Sequence, residues 1–315
     1  MILTPEVLTI LVLDVVFAFF GFIAFVLSVK IFLKWDIDSS SKEQYSLEKQ
    51  SYLGATIIKY IFALKVVLFL FFIFTLDKIS SLITGAMCAA GVVNATQYGT
   101  YLLIVKIINI YLFAYWLFLH AKDIGYERQP FTRLKFGIFI VAFFSFISEI
   151  VLELVMFFSI DADKMVSCCG TLYSASASSA ISSIFSIDTS VLLGAFYGNF
   201  LFVLLFYIVK NRYLFALSNV VFVLNSIISL IVFFGTYIYE LSTHHCPFCF
   251  LQSDYHYVGY FLYIFLFFGT FYGVVVGFVD DKIKNYKVSL FFNTLYLIVV
   301  SGYPLWYYLK NGVWL

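Results

Sequence analysis

Eight apolar stretches, each long enough to cross a bilayer, decide what this chain can become. They run over about 7–33, 53–76, 99–120, 134–158, 189–209, 213–238, 257–279 and 288–308. Polar joints at 36–50, 77–98, 122–135, 159–188, 210–212, 240–256 and 280–287 separate them. At 1.5 Å rise per residue, each stretch wound as a helix spans a hydrocarbon core about 30 Å thick. A backbone inside lipid must satisfy its own polar groups, and apolar runs of this length read as helices. Composition agrees: only 12% of the residues are charged, against about 25% in a soluble domain, and the mean hydropathy is +0.99. The fold class expected is all-α, a polytopic integral membrane protein forming a bundle of about eight transmembrane helices, with 1–315 as a single transmembrane domain. Its first partner is the lipid bilayer. A net charge of +1 gives no argument for nucleic acid.

Lys and Arg resist translocation, so their placement predicts orientation. Thirteen of the 19 fall in the first, third, fifth and seventh joints, counting Lys30 and Lys34 at the end of the first run: Lys30, Lys34, Lys42, Lys49, Lys122, Arg128, Arg133, Lys135, Lys210, Arg212, Lys282, Lys284 and Lys287. Only Lys78, Lys164 and Lys310 fall in the other joints and tails, while Lys59, Lys65 and Lys106 lie within runs. The odd joints are thus expected in the cytoplasm and both termini outside. Residues 1–13 contain Glu6 and no basic residue, so the first run is expected to be a retained helix and not a cleaved signal. The expected location is the plasma membrane of a bacterium or archaeon.

On that topology all five cysteines face outward: Cys88 in the second joint, Cys168 and Cys169 in the fourth, Cys246 and Cys249 in the sixth. Small apolar fillers would fall mostly inside the runs. Segregation to one aqueous face instead points to the side where disulfides form and persist. The sixth joint reads His244-His245-Cys246-Pro247-Phe248-Cys249. A Cys-x-x-Cys pair closes a small ring that is oxidised and reduced reversibly, and its first thiol ionises readily at a helix N-terminus. Pro247 suits the first position of a helix, which would leave Cys246 at the cap with two imidazoles beside it.

This tetrapeptide resembles the active-site Cys-Pro-x-Cys of the thioredoxin superfamily, over four residues and not over the fold. In architecture the chain is similar to the membrane disulfide-generating enzymes, namely the quinone-linked partners of periplasmic oxidases and the vitamin K epoxide reductases. There a Cys-x-x-Cys at the outer end of a membrane helix exchanges with a second cysteine pair on an outer loop. The resemblance implies Cys168 and Cys169 as that second element, although those proteins have fewer spans and separated loop cysteines. A disulfide between adjacent cysteines is strained and easily reduced, which suits a relay.

Two other readings of the same residues stay open. Cys246–Cys249, with Cys88 joined to Cys168 or Cys169, would be structural disulfides pinning outer loops. His244, His245, Cys246, Cys249 and His256 form a soft ligand set suited to a Cu or Zn ion. In the second joint, Met87 and Cys88 offer a soft metal contact, whereas the surrounding Gly and Ala favour close helix packing.

Ionisable groups inside the runs are expensive and mark function by default. Depth along the helices pairs Lys106 with Glu149 or Glu153, and Lys65 with Asp14. Lys106, Glu149 and Glu153 are candidates for a quinone headgroup site or a proton relay beneath the cysteine loops. Pairs that merely neutralise one another between helices are the structural alternative. The leading function is membrane thiol–disulfide exchange on the extracytoplasmic face. Cys246 attacks, Cys249 resolves, Cys168 and Cys169 relay, and His245 accepts a proton or gives electrostatic support; the electron partner is a quinone or a periplasmic thiol protein. The alternatives are soft-metal transport or delivery, and a non-catalytic subunit docking other membrane subunits. Neither a Walker motif nor a Rossmann glycine pattern is present.

Overall fold

The structure is a computed structural model, and it describes residues 4–39, 41–161, 165–166, 187–279 and 282–315. Among the described residues the regular structure is helical, with no strand. Eight helical segments are long and apolar enough to span a membrane: Pro5–Lys34, Lys42–Ser80, Gly99–Ile124, Thr132–Ser159, Thr189–Val209, Arg212–Tyr239, Val258–Phe278 and Ile283–Asn311. Their outward faces are apolar, with large side chains such as Val15, Phe19, Val67 and Leu201 exposed, as lipid contact requires. The eight-span, all-α expectation is met. Cys168 and Cys169 lie outside the described residues.

The chain groups into two compact units, Met1–Val166 and Ser167–Leu315. The first holds α1 (Pro5–Lys34), α2 (Lys42–Ser80), the short α3 (Ala89–Asn94), α4 (Gly99–Ile124) and α5 (Thr132–Ser159). Pro5 opens α1 at the position where a missing N–H costs nothing. The Ser41 hydroxyl caps α2 by accepting from Gln44 N, so this helix begins well before its apolar run. Its 39 residues measure about 58 Å at 1.5 Å each, so its polar first turns extend past a core about 30 Å thick.

Within this unit α1 packs on α2 and α5, and α4 packs on α2 and α5. Aromatic rings fill the middle: Phe62 stacks on Phe113 at 4.1 Å and meets Trp116 edge-on at 5.7 Å. The turn between α4 and α5 is tied by Asp123, whose carboxylate accepts from Phe131 N, the Thr132 hydroxyl and Lys135 Nζ. The 81–98 connection folds through its small residues. A Cβ on Gly91 would lie 2.6 Å from that of Ala86, and Gly85 turns with φ +87 beside the Val166 carbonyl. Close packing is therefore the observed use of these residues. Met87 is 79% exposed while Cys88 is fully buried, so the two do not converge on one ion.

The second unit holds α6 (Thr189–Val209), α7 (Arg212–Ser229), a π-helical turn at Leu230–Phe234, α8 (Gly235–Tyr239), α9 (Val258–Phe278) and α10 (Ile283–Asn311). Asp188 and Asn211 cap α6 and α7 through their side chains. α9 packs on α7 and α10 along a glycine stripe. A Cβ on Gly269 would lie 2.0 Å from Asn293 Oδ1, one on Gly273 2.2 Å from the Asn219 side chain, and one on Gly277 2.5 Å from the Ala216 methyl. Polar groups seal the seam: Asn293 Nδ2 donates to Asn219 Oδ1 (2.8 Å) and the Ser289 hydroxyl to Gly269 O (2.7 Å).

Candidate functional site

In the second unit the Cys-Pro-Phe-Cys sequence sits on a loop joining α8 to α9, folded back over the helix ends and not projecting into solvent. Cys246 and Cys249 are 1% and 7% exposed, and their sulfurs lie within 4.8 Å of one another. Two tyrosines hold the loop. The Tyr239 hydroxyl, at the end of α8, donates to Cys246 O and accepts from Phe250 N at 3.1 Å. The Tyr263 hydroxyl, on α9, donates to Pro247 O at 2.8 Å. Phe250 is fully buried against both rings, and a Cβ on Gly259 would lie 2.3 Å from it.

The expected helix cap at Cys246 is corrected by the structure. Pro247 and Phe248 form a turn that leads into a single 3-10 turn at Cys249–Leu251, too short to carry a useful dipole. The chain reverses under the tyrosine bonds before a helix can propagate. One element of that expectation survives, because Phe248 N donates to Cys246 Sγ at 3.4 Å.

The histidines take three separate positions around the motif. His245 Nδ1 lies 3.0 Å from Ile231 O, a carbonyl of the π-helical turn, whose altered bonding pattern leaves room for an outside partner. His244 packs edge-on against the Tyr239 ring at 4.3 Å, and His256 is exposed with φ 54. Among the described residues, none of these imidazoles joins Cys246 and Cys249 in a group of three ligand atoms. Tyr255, further along the same loop, sets its ring 4.7 Å from that of Tyr239. Burial, with Cys249 and Asp254 adding to it, pushes its phenol above the usual range, so the ring stays neutral.

The intramembrane charges of the first unit also assemble. Lys65 Nζ contacts Asp14 Oδ1 at 2.6 Å and Glu149 Oε1 at 3.1 Å. Lys106 Nζ contacts Glu149 Oε1 at 2.9 Å and Glu153 Oε2 at 2.8 Å. All five are buried, and they come from four different helices. The water-accessible space among them is about 20 Å³, room for roughly one water.

No protein-family model, curated protein or solved structure matches this chain.

The function of the chain therefore rests on its own geometry. The cysteine pair and the buried charges are visible in the sequence. Tyr239 and Tyr263 are not, nor is the π-helical turn whose Ile231 carbonyl faces His245. Tyr239 reads in the sequence as one more ring of an interfacial belt, and nothing in the order of residues marks it as the clamp.

Proposed function

We propose that this protein carries out thiol–disulfide exchange at the membrane, with Cys246 and Cys249 as the working pair on the extracytoplasmic face. One observation carries the reading: two sulfurs within 4.8 Å on a tyrosine-clamped loop, with the Phe248 amide donating to Cys246. A donor on sulfur favours the thiolate, the attacking form. The thiolate of Cys246 attacks one sulfur of a partner disulfide; the old S–S bond breaks and the departing thiolate takes a proton. Cys249 then loses its proton, attacks the Cys246 sulfur and releases the second partner thiol. Two thiols and one disulfide become one disulfide and two thiols, so no further oxidant is needed, and the reverse direction oxidises a partner dithiol. A periplasmic-type thiol protein suits this step. His245 supports the loop, and Cys168 and Cys169 remain the proposed relay. The distribution of Lys and Arg supports the orientation.

The same burial and spacing favour one second reading. Two buried, neighbouring thiolates also suit a soft ion such as Cu⁺.

The test is acid-quenched thiol trapping in intact cells, with peptide mass spectrometry of Cys88, Cys168, Cys169, Cys246 and Cys249. Exchange is expected to leave Cys246–Cys249 as a mixed population that shifts with added reductant, and Cys249→Ser is expected to accumulate a mixed disulfide on Cys246. A pair locked in one state under every condition overturns the reading. Thiols that react only after a chelator support Cu⁺ instead.

A further inference from the structure

Five charged side chains of the first unit form one alternating chain: Asp14, Lys65, Glu149, Lys106, Glu153. It begins and ends on a carboxylate, so three negative groups meet two positive ones. One uncompensated negative charge in a low-dielectric interior is costly. The central carboxylate is saturated: Glu149 Oε1 accepts from both lysines, and Oε2 accepts from Asn109 Nδ2 at 2.6 Å. Asn109 is in turn held by Ser145, whose hydroxyl donates to its Oδ1 at 2.6 Å.

The two end carboxylates differ. Among the described residues, Asp14 Oδ2 and Glu153 Oε1 are buried with no hydrogen-bond partner, on residues 2% and 0% exposed. Both residues line the small cavity that Lys65, Lys106 and Glu149 also line; apart from these five, the lining is aliphatic and phenylalanine side chains from α1, α2 and α4. Buried polar atoms are rarely left unpaired, so the orphans call for an explanation.

We propose that this cavity is a proton-binding site. One proton, shared by Asp14 and Glu153 through the water the cavity admits, brings the cluster to neutrality and gives both orphan oxygens a partner. Two carboxylates competing for one site hold a proton in common for the same reason that like charges cannot both remain ionised there. The proton comes from bulk water and returns to it. A metal cation fits poorly, because it would share the space with two ammonium groups and find two oxygens where six or more are usual for Ca²⁺. The sign of the cluster excludes an anion. None of the described cysteines takes part, so this site stands apart from the exchange reading.

Infrared difference spectroscopy on the full chain in lipid nanodiscs, stepped from about pH 5 to about pH 9, tests the proposal, together with the thermal midpoint over the same range. The expected result is a protonated-carboxyl band that shifts in D₂O, titrates, and is lost in Glu153→Gln, with the pH dependence of the midpoint flattened. Asp14→Asn is expected to move the same band, and it carries the test if Glu153→Gln does not fold. A band that neither variant alters overturns the proposal. So does a midpoint raised by Na⁺ over choline at fixed ionic strength and made insensitive by Glu153→Gln, which would make the site one for a metal cation.

Discussion

Tyr239 is the residue on which the cysteine loop turns. Its hydroxyl joins the Cys246 carbonyl at one end of the motif to the Phe250 amide at the other. Removing the oxygen in Tyr239→Phe leaves two buried backbone groups unmet, each costing about 1–3 kcal/mol. Opening of the loop should then become easier by at least tenfold, since about 1.4 kcal/mol is a factor of ten. Pulse alkylation of the reduced protein reads this directly: Cys246 and Cys249 should label at least tenfold faster in Tyr239→Phe. Tyr263→Phe, which loses one bond to Pro247 O, should show a smaller gain. Equal labelling rates in wild type and both variants would mean that the tyrosines do not control access to the sulfurs.

At the scale of elements, the seam of α9 with α7 and α10 sets the second unit. Gly273 faces the Asn219 side chain so closely that any Cβ must displace it. Gly273→Ala is therefore expected to destabilise by about 1–3 kcal/mol, the usual penalty for overpacking, and to lower the unfolding midpoint in detergent. Gly194→Ala on α6 meets nothing within 4 Å and should be neutral or mildly stabilising, because alanine is the better helix former. The helices themselves are legible in the sequence, since apolar length fixes them with little help from partners. The ion pairs of Lys65 and Lys106 are legible too, because only similar depth lets buried charges meet. The cap expected at Cys246 fails because Pro247 permits a helix start but does not compel one, and the tyrosine bonds of a neighbouring element turn the chain first. The partners of the glycine stripe are out of reach, since a small residue shows that something approaches but not what.

For the molecule as a whole, orientation follows from charges that sit in water and not from packing. Single cysteines placed at Asp38 and Asp254 in a cysteine-free background should separate under a membrane-impermeant maleimide in intact cells. Label is expected at position 254 and none at 38 until the membrane is opened; the opposite pattern would invert the topology and move the Cys246 loop to the cytoplasm. A smaller feature also governs the sixth span along its length. The π-helical turn at Leu230–Phe234 accommodates one residue more than a regular helix needs between its two ends. Winding this turn into regular helix with every residue kept would rotate everything beyond it by about 100°. Tyr239 would then point away from the loop it holds. The span is thus phased by an irregularity, and a change that perfects the helix would undo the placement it provides.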